Sequence, residues 1–276
     1  MSAEAVRFAF GQNWQAFIAE RFSEQTVGHA QRCLAELLED YSLSGKSFLD
    51  IGCGSGLSSL AAQRLGAGRI VSFDYDADAV ECCRQVRAAA GEPAAWQVMQ
   101  GSALDRSLLE RLGPFDVVYS WGVLHHTGEM WAAIENAAAA VKAGGILFLA
   151  IYNKADALGI YGDGRFGPSA LWRPIKRTYC RLPLVAQNVL DYAALGLFGL
   201  ACLLRGRNPA AVARRYQQDR GMSLRRDIKD WLGGYPYECA AVDEVFNFLR
   251  RRGFELVNLK CHGGLRCNEF VLRRKS

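Results

Sequence analysis

The sequence predicts an α/β protein built on a doubly wound sheet, and three observations carry that expectation. Short apolar runs alternate with stretches whose apolar residues recur at helical spacing, the pattern of parallel strands joined by right-handed helical crossovers. The first run, Phe48-Leu49-Asp50-Ile51, breaks into three glycines at alternate positions, Gly52, Gly54 and Gly56, before a helical stripe begins. The second run, Arg69 to Phe73, ends on an acid, Asp74.

Taken in order, residues 12–41 read as helical: Trp14, Phe17, Ile18 and Phe22, then Ala30, Cys33, Leu34, Leu37 and Leu38, keep to one face. Strands are expected at 47–53, 69–75, 95–101, 115–121 and 145–152. Leu57, Leu60, Ala61 and Leu65 mark the first intervening helix, and Met130, Ile134, Ala137 and Val141 the fourth. After residue 240, Asp243 and Glu244 open a helix whose stripe is Val242, Val245, Phe246 and Leu249, and Arg250, Arg251, Arg252 and Gly253 close it. Acid first, base last and glycine after suit the helix dipole and a left-handed cap. The runs Phe254–Cys261 and Glu269–Arg274 are joined by residues 262–268, a loop too short for anything but an antiparallel pair.

This pattern divides the chain into an N-terminal helical segment (1–44), a nucleoside-binding core (45–153), an insertion (154–239) and a C-terminal helix and β-hairpin that complete the core (240–276). The insertion follows the fifth strand, at the sheet end where α/β ligands bind, and is expected to cap a substrate site. It holds 14 Lys and Arg against 7 Asp and Glu, whereas the remainder holds 19 against 21, so the whole basic excess of the chain lies in the insertion. Tyr192–Leu204 carries no charge and is flanked by Arg177, Arg181, Arg205 and Arg207. Its plainest reading is a buried cap helix, with a helix lying on a membrane surface as the alternative. Gln187, Asn188 and Asp191 interrupt any extension toward the ~20 residues a membrane crossing needs.

Half of the 276 residues are apolar and 22% are charged, which excludes a disordered chain. Nine cysteines form neither a C-x-x-C pair nor a Cys/His cluster at zinc spacing, so free thiols, a reducing compartment and no metal are expected. The first residues lack a signal-peptide apolar core. The expected location is cytoplasmic, with peripheral membrane contact as an option left open by the insertion; oligomeric state is not legible.

A strand that runs into a glycine turn and then a helix brings backbone close to a ligand, and an acid about 20 residues on is placed to accept the hydroxyls of a ribose. The dinucleotide pattern G-x-G-x-x-G would put its third glycine where Leu57 stands. Asp50 would also set negative charge beside a pyrophosphate; it suits a ligand with a cation, such as an α-ammonium group. These residues resemble motif I of the class I S-adenosylmethionine-dependent methyltransferases. The resemblance implies a Rossmann-like seven-stranded sheet with an antiparallel last strand. It also implies S-adenosylmethionine as cofactor and S-adenosylhomocysteine as product.

From the same resemblance, Asp50, Gly52, Gly54 and Gly56 would cradle the cofactor, Asp74 would bind its ribose, and Tyr75 would flank the adenine. Ser102 and Ala103 would stand where the family often has an acid facing the adenine, and Trp121 would border the methionine end. Trp14 could close over that end or serve as a packing anchor. The segment Tyr119-Ser120-Trp121-Gly122-Val123-Leu124-His125-His126-Thr127 is similar to the region after strand 4 in small-molecule methyltransferases, including the ubiquinone-biosynthesis O-methyltransferases. Over nearly its whole length the chain is similar to bacterial methyltransferases carrying F-D-Y-D, A-I-Y-N and G-G-Y-P-Y-E.

An imidazole is the natural base for a hydroxyl acceptor near neutral pH. His126 is therefore the preferred base and His125 the other candidate, with Tyr152 and Glu238 as further catalytic candidates. Asn153, Tyr235 and Tyr237 are candidates for contacting the acceptor. The expected reaction is methyl transfer to a small molecule, with a hydroxyl oxygen as the expected target; an anionic or lipid-linked acceptor would suit the basic cap. RNA or tRNA methylation is the rival reading, and nucleic acid is disfavoured because the segment after strand 4 lacks [DN]-P-P-[FYW] and no Pro-Cys pair occurs. The residues also admit a non-catalytic S-adenosylmethionine-binding protein and a nicotinamide dehydrogenase.

Overall fold

A computed structural model describes residues 7–8, 10–11, 14, 22–154, 168–220, 224–262, 264 and 266–276. Phe17 and Ile18 of the expected N-terminal stripe, and Gly263 and Leu265 of the final loop, lie outside the described residues.

Helix α1 (Glu24–Leu38) is followed by β1 (Ser47–Ile51), α2 (Leu57–Arg64), β2 (Arg69–Asp74), α3 (Ala77–Ala89), β3 (Trp96–Gln100), α4 (Arg106–Leu112), β4 (Phe115–Trp121), α5 (Met130–Ala139) and β5 (Val141–Tyr152). The insertion supplies α6 (Pro168–Tyr179), α7 (Leu184–Leu204), α8 (Pro209–Arg220) and α9 (Leu224–Gly233). Then α10 (Val242–Arg250), β6 (Phe254–Lys260) and β7 (Cys267–Arg274) complete the chain. The seven strands lie in the order β3-β2-β1-β4-β5-β7-β6. The pairings among β1 to β5 are parallel, and β7 runs antiparallel to both β5 and β6. This is the sheet that the resemblance implies.

The central strands are buried on both faces, which is why they read as continuous apolar runs. Alternation still sorts their residues: Leu49, Ile51, Val71, Phe73, Val118, Leu147 and Leu149 enter one core cluster, while Phe48, Ile70, Val117, Ile146 and Phe148 enter the other. Asp50 shares the side of Phe48, and there its Oδ2 accepts a hydrogen bond from Ser59 Oγ on α2. At the tips the strands stop earlier than expected where glycine turns the chain, as at Gly52 with φ of 74°. Val141, expected to end the fourth helix, instead opens β5, pairing with Phe115 across an irregularity in the ladder. Helix α1 starts at Glu24 because Ser23 caps it, its side chain accepting from Thr26 N.

The cap departs most from expectation. Tyr192–Leu204 belongs to a helix of 21 residues, α7, in which Asp191 and Cys202 are the buried residues. It is not a buried cap helix: Val185, Leu197, Leu200 and Leu204 are all more than half exposed. Among the described residues helix α7 packs on α8 and α9 along one side, and several of its apolar side chains on the other stay exposed.

The centre of the sheet bears the stability. Phe148 is 1% exposed and stacks on Tyr119 with ring centroids 4.8 Å apart. Phe148→Ala is expected to cost about 3–5 kcal/mol, read as a lowered urea midpoint with unchanged slope. A loss below about 1 kcal/mol would contradict this packing role.

Candidate active site

The glycine loop is closed on itself and on Asp74. Gly52 and Cys53 donate their N–H groups to Phe73 O, Gly56 N donates to Cys53 O, and Gly54 N donates to Asp74 Oδ2 at 3.0 Å. Asp74 Oδ1 accepts from Asp76 N, also at 3.0 Å. These N–H groups are therefore spent inside the protein rather than offered to a pyrophosphate. Each Asp74 oxygen keeps a lone pair for a hydroxyl donor. All three glycines have positive φ, and the neighbours leave no room for a side chain: a Cβ at Gly52 would stand 2.4 Å from Val123, at Gly54 2.9 Å from the Trp14 ring, and at Gly56 2.8 Å from Cys83 Sγ.

Electrostatics point the same way. Burial pushes the Asp74 carboxyl above the usual range, with the nearby Asp76 charge adding to it. Burial pushes Asp50 up to about 7, opposed by its Ser59 hydrogen bond and reinforced by the Asp74 charge. Three acids beside a glycine turn repel phosphate and favour a ligand that brings hydroxyls and positive charge. Asp50 is 2% exposed and stands behind the cavity wall, bonded to Ser59, which also bonds Ser72 Oγ.

A cavity of about 1350 Å³ extends from this loop beneath the cap. Gly52, Asp74, Tyr75, Ser102, Ala103 and Trp121 line one half, so most of the expected cofactor residues converge; Gly54 and Gly56 shape the turn behind it. Ser102 Oγ accepts from Leu104 N, which fixes the turn after β3. Trp121 donates through Nε1 to Glu269 on β7 at 3.1 Å. The other half is walled by α1, by the β6–β7 hairpin and by Tyr216, Asp227, Ile228 and Trp231 of the cap. Burial raises Asp227 to about 6, and Tyr216 donates its hydroxyl to that carboxylate.

The N-terminal residues, which sequence reasoning mostly missed, form a strap across the mouth. Arg7 lies over the Tyr75 ring at 4.6 Å and donates to Thr127 O. Phe8 N donates to Tyr235 O, Phe10 packs on His126 at 5.1 Å, and Gly11 N donates to Asp76 Oδ2 at 2.8 Å. Trp14 covers Gly54 and lines the cavity, so it is both anchor and wall.

His125 and His126 stand where β4 gives way to a short turn of 3₁₀ helix, and both line the cavity. They differ in which nitrogen is taken. His126 Nδ1 lies 2.7 Å from Pro236 O, which can only accept; Nε2 therefore carries the lone pair. His125 Nδ1 accepts from Tyr152 N at 3.3 Å, which leaves Nε2–H as a buried donor without a partner. Burial pushes His126 down to about 3, partly opposed by the Pro236 and Gly234 carbonyls, both of which face the ring. Burial also drives His125 well below the ordinary value, helped by His126 and by the Lys176 ammonium. Both rings are neutral. Tyr152 packs tilted against His125, ring centroids 4.0 Å apart, and burial holds its hydroxyl well above the usual range, so it does not ionise near neutrality.

Three of the residues expected to act in catalysis or acceptor binding also lie off the main cavity. Glu238 Oε2 accepts from Met130 N at 2.9 Å and so caps α5; its backbone N donates to His125 O, but its carboxylate reaches neither histidine. Asn153 is bound into the β6–β7 loop, donating to Gly264 O and accepting from Asn268. Tyr237 is 5% exposed and packs between Tyr152 and Lys176. Tyr235 does line the cavity. Among the described residues no His, Cys, Asp and Glu group could hold a metal.

Residues 48–145 match a family described as a methyltransferase domain. A ubiquinone biosynthesis O-methyltransferase of Methylobacterium nodulans is 34% identical over 123 residues, 44% of this chain and 47% of that protein. A ribosomal protein L11 methyltransferase of Pelotomaculum thermopropionicum is 40% identical over 79 residues, 28% of this chain and 26% of its own. Among solved structures, a magnesium protoporphyrin IX methyltransferase from Synechocystis PCC 6803 with bound S-adenosylhomocysteine aligns with a TM-score of 0.55 at 15% identity, covering 96% of this chain and 94% of that one. The core is a class I S-adenosylmethionine-dependent methyltransferase domain. The chain spans less than half the length of these curated relatives, and their acceptors, as named, differ in kind.

In a methyltransferase core, neutral buried histidines have a measurable signature. The folded-state pKa of His126 lies below its unfolded value near 6.5, so the stability it contributes is full above that value and is lost as pH falls toward about 3. By nuclear magnetic resonance, His126 should stay unprotonated throughout pH 5–8. A midpoint between about 6 and 7 would contradict the buried, Pro236-bonded geometry.

Proposed function

We propose that the chain is an enzyme that transfers the methyl group of S-adenosylmethionine to a hydroxyl oxygen of a small-molecule acceptor. The observation that carries this reading is the continuous cavity that runs from Asp74 and the glycine loop past His126 into a second half walled by α1 and the cap. A cofactor occupying the first half leaves the second for an acceptor, with His126 between them. The O-methyltransferase relative supports oxygen as the target.

The cofactor supplies a methyl carbon on a positively charged sulfur, and the carbon–sulfur bonding pair stays on sulfur when the carbon bonds to the acceptor oxygen. The remaining tasks fall to the chain. Asp74 would accept hydrogen bonds from the ribose hydroxyls, and Asp76, with the ionised fraction of Asp50, would supply the negative field that favours a cation beside the loop. Trp14, Phe10 and Trp121 exclude water from the line of attack. His126 Nε2 accepts the hydroxyl proton as the carbon–oxygen bond forms. A ring with a pKa of about 3 does not ionise a resting hydroxyl, but an oxygen that gains a methyl group becomes a far stronger acid, so proton transfer turns favourable along the reaction. Tyr152 N, by holding His125 Nδ1, makes His125 a donor rather than a second base.

Incubation with S-adenosylmethionine and a panel of phenolic, catecholic and lipid-quinol acceptors should yield S-adenosylhomocysteine with a hydroxyl-bearing member. His126→Ala should lower kcat by about 10²–10⁴-fold while leaving affinity for S-adenosylhomocysteine unchanged. Full turnover by that variant would refute the assignment of the base.

A further inference from the structure

The cap carries a surface for which the methyltransferase core has no use. Helix α7 is 21 residues long and has one charged residue, Asp191. Asp191 is buried, and its Oδ1 accepts from the Tyr179 hydroxyl at 2.6 Å. The Gln187 side-chain amide donates to the carbonyls of Tyr179 and Leu182, and Cys202 is buried near the other end. Positions 187, 191 and 202 fall on one side of a 3.6-residue helix, so that side is fixed along its length. The opposite side holds Val185, Val189, Leu197, Leu200 and Leu204, exposed by 75, 62, 68, 52 and 80%. A bare aliphatic stripe of about 30 Å is larger than a soluble surface usually leaves uncovered.

Charge identifies the partner. From Pro168 to Tyr216 the chain contains eight Lys and Arg and a single acid, the buried Asp191. Arg177 and Arg181 precede α7, Arg205 and Arg207 follow it, and all four are exposed. An apolar stripe between two cationic collars matches the boundary of an anionic bilayer, where acyl chains lie beneath negatively charged headgroups. A second copy of this chain fits worse, because a two-fold pairing of the stripe would set one arginine collar against another. A membrane crossing fits worse still. The helix has the length and hydropathy for one, but its Asp191 side is held to the cap.

We infer that the outer face of α7 docks the protein flat on an anionic lipid bilayer. Helix α9 packs against α7 and places Asp227, Ile228 and Trp231 on the cavity wall, so the acceptor half of the cavity lies one helix behind the docked face. The inference stands on the helix and its charges, whichever acceptor the cavity takes.

The test is flotation of the full-length protein with phosphatidylcholine vesicles made with and without phosphatidylglycerol. Co-flotation is expected with the anionic vesicles and should fall about tenfold without phosphatidylglycerol or at high salt. The double variant Val189→Glu, Leu200→Glu should lose about tenfold or more in vesicle binding while keeping its thermal response to S-adenosylhomocysteine, which separates docking from folding and from the cofactor site. Three results would overturn the inference: no flotation with either vesicle, protein that alkaline carbonate fails to strip from membranes, or a dimer in vesicle-free solution that the double variant dissolves.

Discussion

The site depends on one carboxylate. Asp74 stands at the tip of β2 and bridges two backbone N–H groups, Gly54 of the glycine loop and Asp76 at the start of α3. That bridge holds the turn after β1 against the turn after β2, and Asp76 in turn receives Gly11 of the N-terminal strap. The loop, the strap and the helix start are thus tied to neighbouring acids. Packing them together raises Asp50 and Asp74 above the carboxylate range, an arrangement tolerable where a ligand answers with hydroxyls and positive charge. A pyrophosphate would meet the same acids as repulsion and would find Gly52, Cys53, Gly54 and Gly56 already committed.

The acceptor side is governed by hydrogen-bond direction as much as by burial. Two adjacent histidines on the same cavity wall take opposite tautomers because one faces a carbonyl and the other a backbone N–H. Pro236, whose carbonyl orients His126, belongs to the segment that also presents Tyr235 to the cavity and sends Glu238 back to cap α5. That segment holds the end of the insertion against the core, and the acceptor wall depends on it.

Legibility in the sequence followed the range of the interaction. Parallel strands buried on both faces produce apolar runs, and glycine turns end them, so the core and the cofactor half could be placed from local pattern. The same alternation holds Asp50 on the Phe48 side, away from the cavity, a detail that the motif alone obscured. Glu238 and Asn153 read as polar tips near a site, yet one caps a helix that begins 108 residues earlier and the other pins a hairpin loop beginning 109 residues later. No local pattern announces such partners. Phe8 and Phe10 were invisible for the same reason, since they have no periodicity and act only by crossing the mouth of a cavity built later in the chain. The 192–204 run was legible as apolar and helical, but composition cannot say which side of an apolar helix the protein leaves uncovered.

Calorimetric titration of S-adenosylhomocysteine into the wild-type chain and into Asp74→Ala tests the central claim most directly, with nicotinamide dinucleotide as the contrast ligand. The account predicts one-to-one binding to the wild type, weakened about 100-fold or more in the variant as hydrogen bonds to a charged acceptor are lost, and no heat with the dinucleotide. Equal affinity in the two proteins, or binding of the dinucleotide in place of the nucleoside, would contradict it.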